Sequence, residues 1–383
     1  MKTQDKMLLK KIFQYLIISF SISAFSVQAA IFIIPKPPSV KAAAYALLDH
    51  NSGEIIAANN PDKKRSPASL TKLMTAYVVF QLIKDGRISL DDDVRISKKA
   101  WKTTGSKSFI EVGKTIKLEI LLKGMIIQSG NDAAVALSEH IAGTEGTFAA
   151  YMNEYAGQLG MQNSRFENSS GLPDKNQYTS ARDMAILAAA TIRDFPKFYT
   201  WYSIKEFSYN NIKQRNRNKL LWSDRTVDGL KTGFTEKAGY NLVASANRVG
   251  MRLISAVLGS SGVDARTTQT QKILDYGFRF FETVKIADFN KQLPISSSTQ
   301  DFIKVGLADT AYLTLPRGQF KLSQQAIVLD KSLSAPIQKD DSLGSLVVTF
   351  EEEVLAKLPL IALENAESAG LFSRMIDGIK SLF

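Results

Sequence analysis

The chain contains no cysteine. That excludes disulfides, thiol nucleophiles and cysteine-bound metals, and 383 residues suffice for a core that needs no covalent staples. Histidine is almost as scarce, with His50 and His140 the only two. A Ser-His-Asp triad would have to recruit one of them. His50 falls in the turn-like run Asp49-His50-Asn51-Ser52-Gly53, and His140 ends an apolar helical stretch. Both read as structural or surface residues, and neither a zinc site nor any other metal or cofactor is expected. Basic clusters interleaved with aromatics are missing too. The 48 Lys and Arg outnumber the 37 Asp and Glu for a net charge of +11, but they are scattered, so nucleic acid is not an expected partner. The most apolar stretch, Ile12–Phe25, is short for a full membrane span, which disfavours reading it as an uncleaved anchor helix.

That stretch has another reading. Lys10-Lys11 closes a basic segment before it, and Val27-Gln28-Ala29 places small residues for cleavage after Ala29. Met1–Ala29 therefore reads as a signal peptide. Its removal takes away four lysines and one aspartate and leaves +8, a mildly basic exported protein suited to an anionic envelope surface.

Ala44–Leu48 and Glu54–Ala58 look like strands joined by the turn at Asp49–Gly53. Ser66-Pro67 opens a helix, with Ser66 as N-cap, and Leu70, Leu73, Met74, Tyr77, Val78 and Leu82 follow helical spacing. Leu118–Ile127 and Ala133–Ile141 read as buried helices, Ser180–Arg193 as a capped helix, and Thr268–Glu282 as another. Val227–Thr235, Tyr240–Asn247 and Met251–Leu258 read as strands with short turns. Residues 30–287 are thus expected to form an α/β domain, an antiparallel sheet with flanking helices plus a helical cluster. From Asp288 short β-like runs broken by Gly, Pro, Asp and Ser predict a small all-β, sandwich-like domain over 288–364. The last segment, 365–383, repeats Leu371, Phe372, Met375, Ile376, Ile379, Leu382 and Phe383 at helical spacing, the pattern of an amphipathic helix that lies on a membrane surface.

Three short motifs carry chemistry. In Ser69-Leu70-Thr71-Lys72 the hydroxyl and the amine are three residues apart, on one helix face. A serine needs a base to become a nucleophile, and with no suitable histidine the base is lysine, provided burial or a second cation lowers its pKa. Ser129-Gly130-Asn131 sits between two apolar helices, an odd place for small polar residues; it offers a second hydroxyl for a proton path and an amide to hold a substrate. Lys231-Thr232-Gly233 falls on a strand. Lys231 supplies the second cation, Thr232 can bind a carboxylate, and Gly233 lets a substrate backbone approach. Each motif alone is equally consistent with a solvated helix face, a capped turn or a strand edge. In this order and on these elements they match the S-x-x-K, S-x-N and K-T-G signature of penicillin-binding proteins and β-lactamases.

The chain resembles the low-molecular-mass D-alanyl-D-alanine carboxypeptidases of the penicillin-binding group. The resemblance runs through Pro67–Thr75, Gln128–Ala133, Asp228–Gly233, Lys237–Asn241, Asn216-Arg217-Asn218, Ser180–Met184 and Tyr276–Phe281, and covers nearly the whole mature chain. It implies a β-lactamase/transpeptidase-like catalytic domain. Ser69 would attack the carbonyl between two D-alanines of a peptidoglycan pentapeptide, Lys72 would accept the proton, and Ser129 would protonate the departing D-alanine. Asn131 would hold the acyl-side amide. Lys231 and Thr232, with Arg217 and Arg266, would recognise the terminal carboxylate, and the N–H groups of Ser69 and Phe234 would form the oxyanion hole. β-Lactam antibiotics would acylate the same serine. The protein would act in cell-wall synthesis from the periplasm, held peripherally on the outer face of the cytoplasmic membrane by its tail; its oligomeric state stays open. One departure is visible: close relatives often carry histidine where this chain has Phe234. Two rivals fit less well. A class A β-lactamase needs a deacylating glutamate, and no Glu-x-x-Leu-Asn lies between Ser129 and Lys231. A wall-binding protein without activity has no use for the full set of Ser69, Lys72, Ser129 and Lys231.

Overall fold

The computed structural model describes residues 34–286 and 289–370. The signal-peptide and amphipathic-tail readings, over 1–29 and 371–383, lie outside the described residues. In the catalytic region one antiparallel sheet has the order β2-β1-β9-β8-β7, built from β1 (Ala44–Asp49), β2 (Ile55–Asn59), β7 (Val227–Thr235), β8 (Gly239–Arg248) and β9 (Met251–Ser260). Alternation decides its faces. On β1, Tyr45 and Leu47 enter one core while Ala44, Ala46 and Leu48 enter the other. A sheet buried on both sides needs helices on both. Helices Thr71–Lys84, Asn131–Ala142, Glu145–Gln158 and Ala181–Asp194 cover one face, and Val263–Phe280 covers the other.

Several expectations need correcting. The helix after Ser66-Pro67 begins only at Thr71; Ala68–Leu70 is a 3-10 turn, and Ser66 does not cap it. Ala68 turns the chain with φ +49°, and the Ser66 and Pro67 carbonyls are engaged by Asn241 from β8 instead. The single helix expected over 118–127 is an α-helix, Leu118–Lys123, followed by a π-turn, Gly124–Gln128. The helix expected from Thr268 starts at Val263, where Asp264 in the first turn suits the positive end of the helix dipole. Helix Glu145–Gln158 and two ribbons, β3 (Asp93–Arg95) with β4 (Thr115–Lys117) and β5 (Glu206–Tyr209) with β6 (Ile212–Arg215), were not legible as elements.

The C-terminal region is all β, as its composition predicts. β10 (Phe281–Ile286) pairs with β13 (Ala311–Pro316). A second sheet has the order β11-β12-β16-β15-β14, from β11 (Asn290–Pro294), β12 (Phe302–Leu307), β14 (Gln324–Leu329), β15 (Ser342–Phe350) and β16 (Glu353–Ala362). Strand pairing of this region begins at Phe281, ahead of the composition change at Asp288. Residues 365–370 are not the start of a helix: they run extended, with Ala366 bridging Ile337 and Ser368 bridging Ser298. Polar contacts tie the two regions together. Thr283 on β10 donates to the Asp49 carboxylate, Ser52 Oγ meets Thr314 Oγ1 at 2.6 Å, and Arg317 donates to the Phe278 and Phe281 carbonyls.

Candidate active site

The three motifs converge on one cleft of about 1150 Å³, lined by Ser69, Ser129, Asn131, Arg217, Thr232, Gly233, Phe234 and Arg266 among others. Lys72 and Lys231 lie buried behind its wall. Neither histidine lines it: His140 faces Asp92 at 3.7 Å, and His50 sits in the β1–β2 turn.

Ser69 occupies the 3-10 turn that leads into helix Thr71–Lys84. The turn is strained at Ala68, whose φ of +49° is unusual for a residue with a Cβ. Three neighbours hold it there. Asn241, fully buried, donates to the Ser66 and Pro67 carbonyls at 3.4 and 3.3 Å. Gly233 packs so closely that a Cβ would come within 3.0 Å of the Pro67 carbonyl and 3.2 Å of the Ser69 nitrogen. The close approach expected at Gly233 is therefore made by the nucleophile's own turn. Gly171, at φ +83°, lies against the other side, where a Cβ would fall 1.9 Å from the Ala68 carbonyl.

Lys72 is buried at 1% exposure, and its Nζ has three neighbours: Ser69 Oγ at 3.1 Å, Asn131 Oδ1 at 2.6 Å and the Ser170 carbonyl at 2.5 Å. Two of these are carbonyl oxygens and can only accept. A neutral amine has two hydrogens for them and one lone pair, which then faces the Ser69 hydroxyl. The charge state agrees. Burial, then Arg217, pull the Lys72 pKa down to about 7. The second cation acting on Lys72 is thus Arg217, where the sequence led us to expect Lys231. Lys231 is itself pushed well down, by burial first and then by Lys72, Arg217 and Arg266. Its Nζ finds one acceptor, the Thr232 carbonyl at 3.1 Å.

Ser129 ends the π-turn in the left-handed region, φ +67°, so its side chain leaves the helix stack and lines the cleft. Its Oγ is buried without a hydrogen-bond partner among the described residues. Asn131 uses Oδ1 on Lys72 and donates through Nδ2 to the Thr104 carbonyl at 2.7 Å, leaving one amide hydrogen. Across the cleft Arg217 is exposed to solvent, although the walls still desolvate it enough to lower its pKa. No carboxylate among the described residues pairs with it. Arg266 lies over the Tyr240 ring at 5.7 Å, donates to the Gly233 and Asn241 carbonyls at 3.4 Å, and is lowered to about 10 by burial and Arg217. Phe234, 49% exposed, stacks on Tyr240 with ring centroids 4.3 Å apart.

A basic lysine lowered to neutrality beside a helix-start serine, under a wall of unpaired cations, is the arrangement the resemblance implied. Comparison with known proteins agrees. A family profile described as D-alanyl-D-alanine carboxypeptidase (peptidase S11) matches residues 32–262. This chain belongs to that family. Residues 281–368 match a second profile, the C-terminal domain of penicillin-binding protein 5. The D-alanyl-D-alanine carboxypeptidase DacA of Escherichia coli K12 is 41% identical over 92% of this chain and 90% of that protein. DacA of Haemophilus influenzae is 41% identical over 95% of each. Among solved structures, penicillin-binding protein 5 from H. influenzae superposes with TM-score 0.83 at 41% identity, over 87% of this chain and all of that one. DacD from Francisella tularensis gives 0.76 at 32%, over 92% of this chain and all of that one.

The fold of this family member brings every sequence-selected residue to one site and adds some that had no selected role. The Ser170 carbonyl completes the grip on Lys72, and Asn241 and Gly171 hold the nucleophile turn. Gly171 and Asn241 left a signal, a glycine and an asparagine at places where a turn and a buried strand need them. The Ser170 carbonyl left none, because every residue carries one.

Proposed function

We propose that this chain is a serine D-Ala-D-Ala carboxypeptidase that trims the terminal D-alanine from peptidoglycan stem peptides. The observation that carries the reading is the Lys72 amine, held by two carbonyl oxygens with its third position on Ser69 Oγ at 3.1 Å. Substrate enters with its terminal carboxylate toward Lys231, Thr232, Arg217 and Arg266. A carboxylate there favours the charged form of Lys231 against the burial that pushes it down. Ser69 Oγ attacks the D-Ala-D-Ala carbonyl as its proton passes to Lys72, and the oxyanion develops against the N–H groups of Ser69 and Phe234. The C–N bond then breaks. Ser129 Oγ, buried and unpartnered, delivers a proton to the leaving amine and regains one from Lys72. Water attacks the remaining ester and gives a proton to Lys72, which returns it to Ser69 Oγ as the C–O bond breaks, freeing Ser69 and the shortened peptide. Asn131 holds the acyl-side amide through the hydrogen not used on Thr104. A β-lactam amide follows the first half of this route and stays on Ser69 as an ester.

We read residues 30–287 as the catalytic part, 288–364 as a β-domain that positions it, and the apolar repeat Leu371–Phe383 as a membrane-surface anchor on an exported, periplasmic protein. The charge balance after Ala29 and the two matched profiles support this division. The test of the activity is labelling with a fluorescent penicillin. Mass spectrometry should place the adduct on Ser69, and Ser69→Ala should neither label nor release D-alanine from a small D-Ala-D-Ala peptide. A wild-type level of labelling in that variant ends the reading.

A further inference from the structure

One of the two acceptors around Lys72 has neither sheet nor helix behind it. The Ser170 carbonyl belongs to an irregular loop. What fixes its peptide is Ser169, which is fully buried. Ser169 Oγ donates to Glu145 Oε1 at 2.8 Å, and the Ser169 N–H reaches the same oxygen at 3.4 Å. The Ser169 carbonyl accepts from Thr75 Oγ1 at 2.7 Å, one residue short of a helical turn beyond Lys72. The other Glu145 oxygen meets Lys99 Nζ at 2.9 Å. Glu145 is the first residue of helix Glu145–Gln158, where the helix dipole favours a carboxylate.

We propose that Glu145 is a positioning residue for the general base: by gripping Ser169 it holds the Ser170 carbonyl on the Lys72 amine. The inference rests on Lys72 being that base. Removing the carboxylate would free the loop and let the amine rotate its lone pair away from Ser69. The charge acts in a second, separable way. The charges acting on Lys72 are Arg217 as a cation and Asp132 and Glu145 as anions, and Lys231 beside it is itself pushed down by burial, Lys72, Arg217 and Arg266. The Asp132 carboxylate accepts from the N–H groups of Ser108, Ile110 and Ala133. Glu145 raises the Lys72 pKa, opposing burial and Arg217, so losing its charge makes Lys72 deprotonate at lower pH.

Two conservative variants separate the effects. Glu145→Gln keeps an oxygen for Ser169 and removes the charge; Ser169→Ala removes the hydroxyl contact and keeps the charge. Second-order acylation by a fluorescent penicillin is followed from about pH 5 to 10 on the full chain, alongside thermal unfolding. Glu145→Gln should move the acid limb to lower pH by about half a unit with a near wild-type plateau. Ser169→Ala should lower the plateau about 3- to 10-fold, the worth of one hydrogen bond, and leave the limb in place. A protein in which Glu145 is merely structural would lose melting temperature without moving the limb. An unmoved limb in folded Glu145→Gln, or a wild-type plateau in folded Ser169→Ala, overturns the proposal. Lys72→Arg, run beside them, tells the two readings apart. If it labels like wild type, the base assignment falls and this inference with it; if it is inactive while the limb of Glu145→Gln stays put, only this inference falls.

Discussion

Acidification should switch acylation off along a limb set by Lys72, and Arg217→Ala should move that limb to higher pH. The neutral amine is the reactive form, so its share of the enzyme sets the rate. A free lysine with a pKa of about 10.4 is neutral in roughly one molecule in 2,500 at pH 7. With the buried value of about 7, half of the molecules hold a neutral amine there. The site thereby gains about a thousandfold in available base, equivalent to about 4 kcal/mol for this fully buried group. Below the limb the rate should fall tenfold per pH unit. Burial is the first cause of the depression and Arg217 the second. Replacing Arg217 by alanine leaves the burial and removes the repulsion, so the protonated amine becomes easier to keep and the limb shifts upward. Arg217 also faces the substrate carboxylate, so the plateau should fall as well; plateau and limb are read separately in the same experiment. The assay is the second-order acylation rate against pH, which reports the free enzyme. A limb centred near the value of free lysine, or one that moves to lower pH in Arg217→Ala, would refute the reasoning.

Gly171→Ala should impair both fold and acylation. Its φ of +83° costs a side chain about 1–2 kcal/mol, and a Cβ 1.9 Å from the Ala68 carbonyl forces the nucleophile turn or the Ser170 loop to shift. Thermal unfolding should show the loss, together with acylation reduced by more than the stability change explains; wild-type acylation at a lowered melting temperature would leave the turn contact without catalytic meaning. Deleting the chain after Ala369 should release from membranes an enzyme that still cleaves small D-Ala-D-Ala peptides, because every residue placed at the site precedes Phe281; identical partitioning of full-length and truncated protein in cell fractions counts against the anchor.

The proposed catalytic residues were legible because side-chain chemistry of this kind is rare and its order is informative. A serine three residues before a lysine means little until Ser129-Gly130-Asn131 and Lys231-Thr232-Gly233 follow on a buried turn and a strand. The sheet was legible for a different reason. β8 and β9 are largely apolar runs, and the short polar turns that separate β7, β8 and β9 mark their boundaries. Helix Glu145–Gln158 was not, because Gly146, Asn153 and Gly157 lower its helix propensity, and the packing of Phe148 and Met152 against the neighbouring helices decides its conformation.

The nucleophile turn shows why local signals mislead at a site. Ser66-Pro67 is a good helix start by propensity, and an isolated peptide would use it. In the folded chain Asn241 takes the two carbonyls and Gly233 presses against Ser69, so the helix is delayed to Thr71 and Ala68 is driven to positive φ. The strain has a use. It sets the Ser69 hydroxyl at the mouth of the helix, within reach of an amine whose other two positions are already filled. Those fillings come from an asparagine that the motif announces and from a backbone carbonyl that nothing in the sequence announces. The charges were also misassigned for a physical reason. Proximity of two lysines in a motif pattern does not say what charges act on each; burial and the placement of Arg217, both products of the fold, lower Lys72 to about 7, while Lys231 is itself pushed down by burial, Lys72, Arg217 and Arg266.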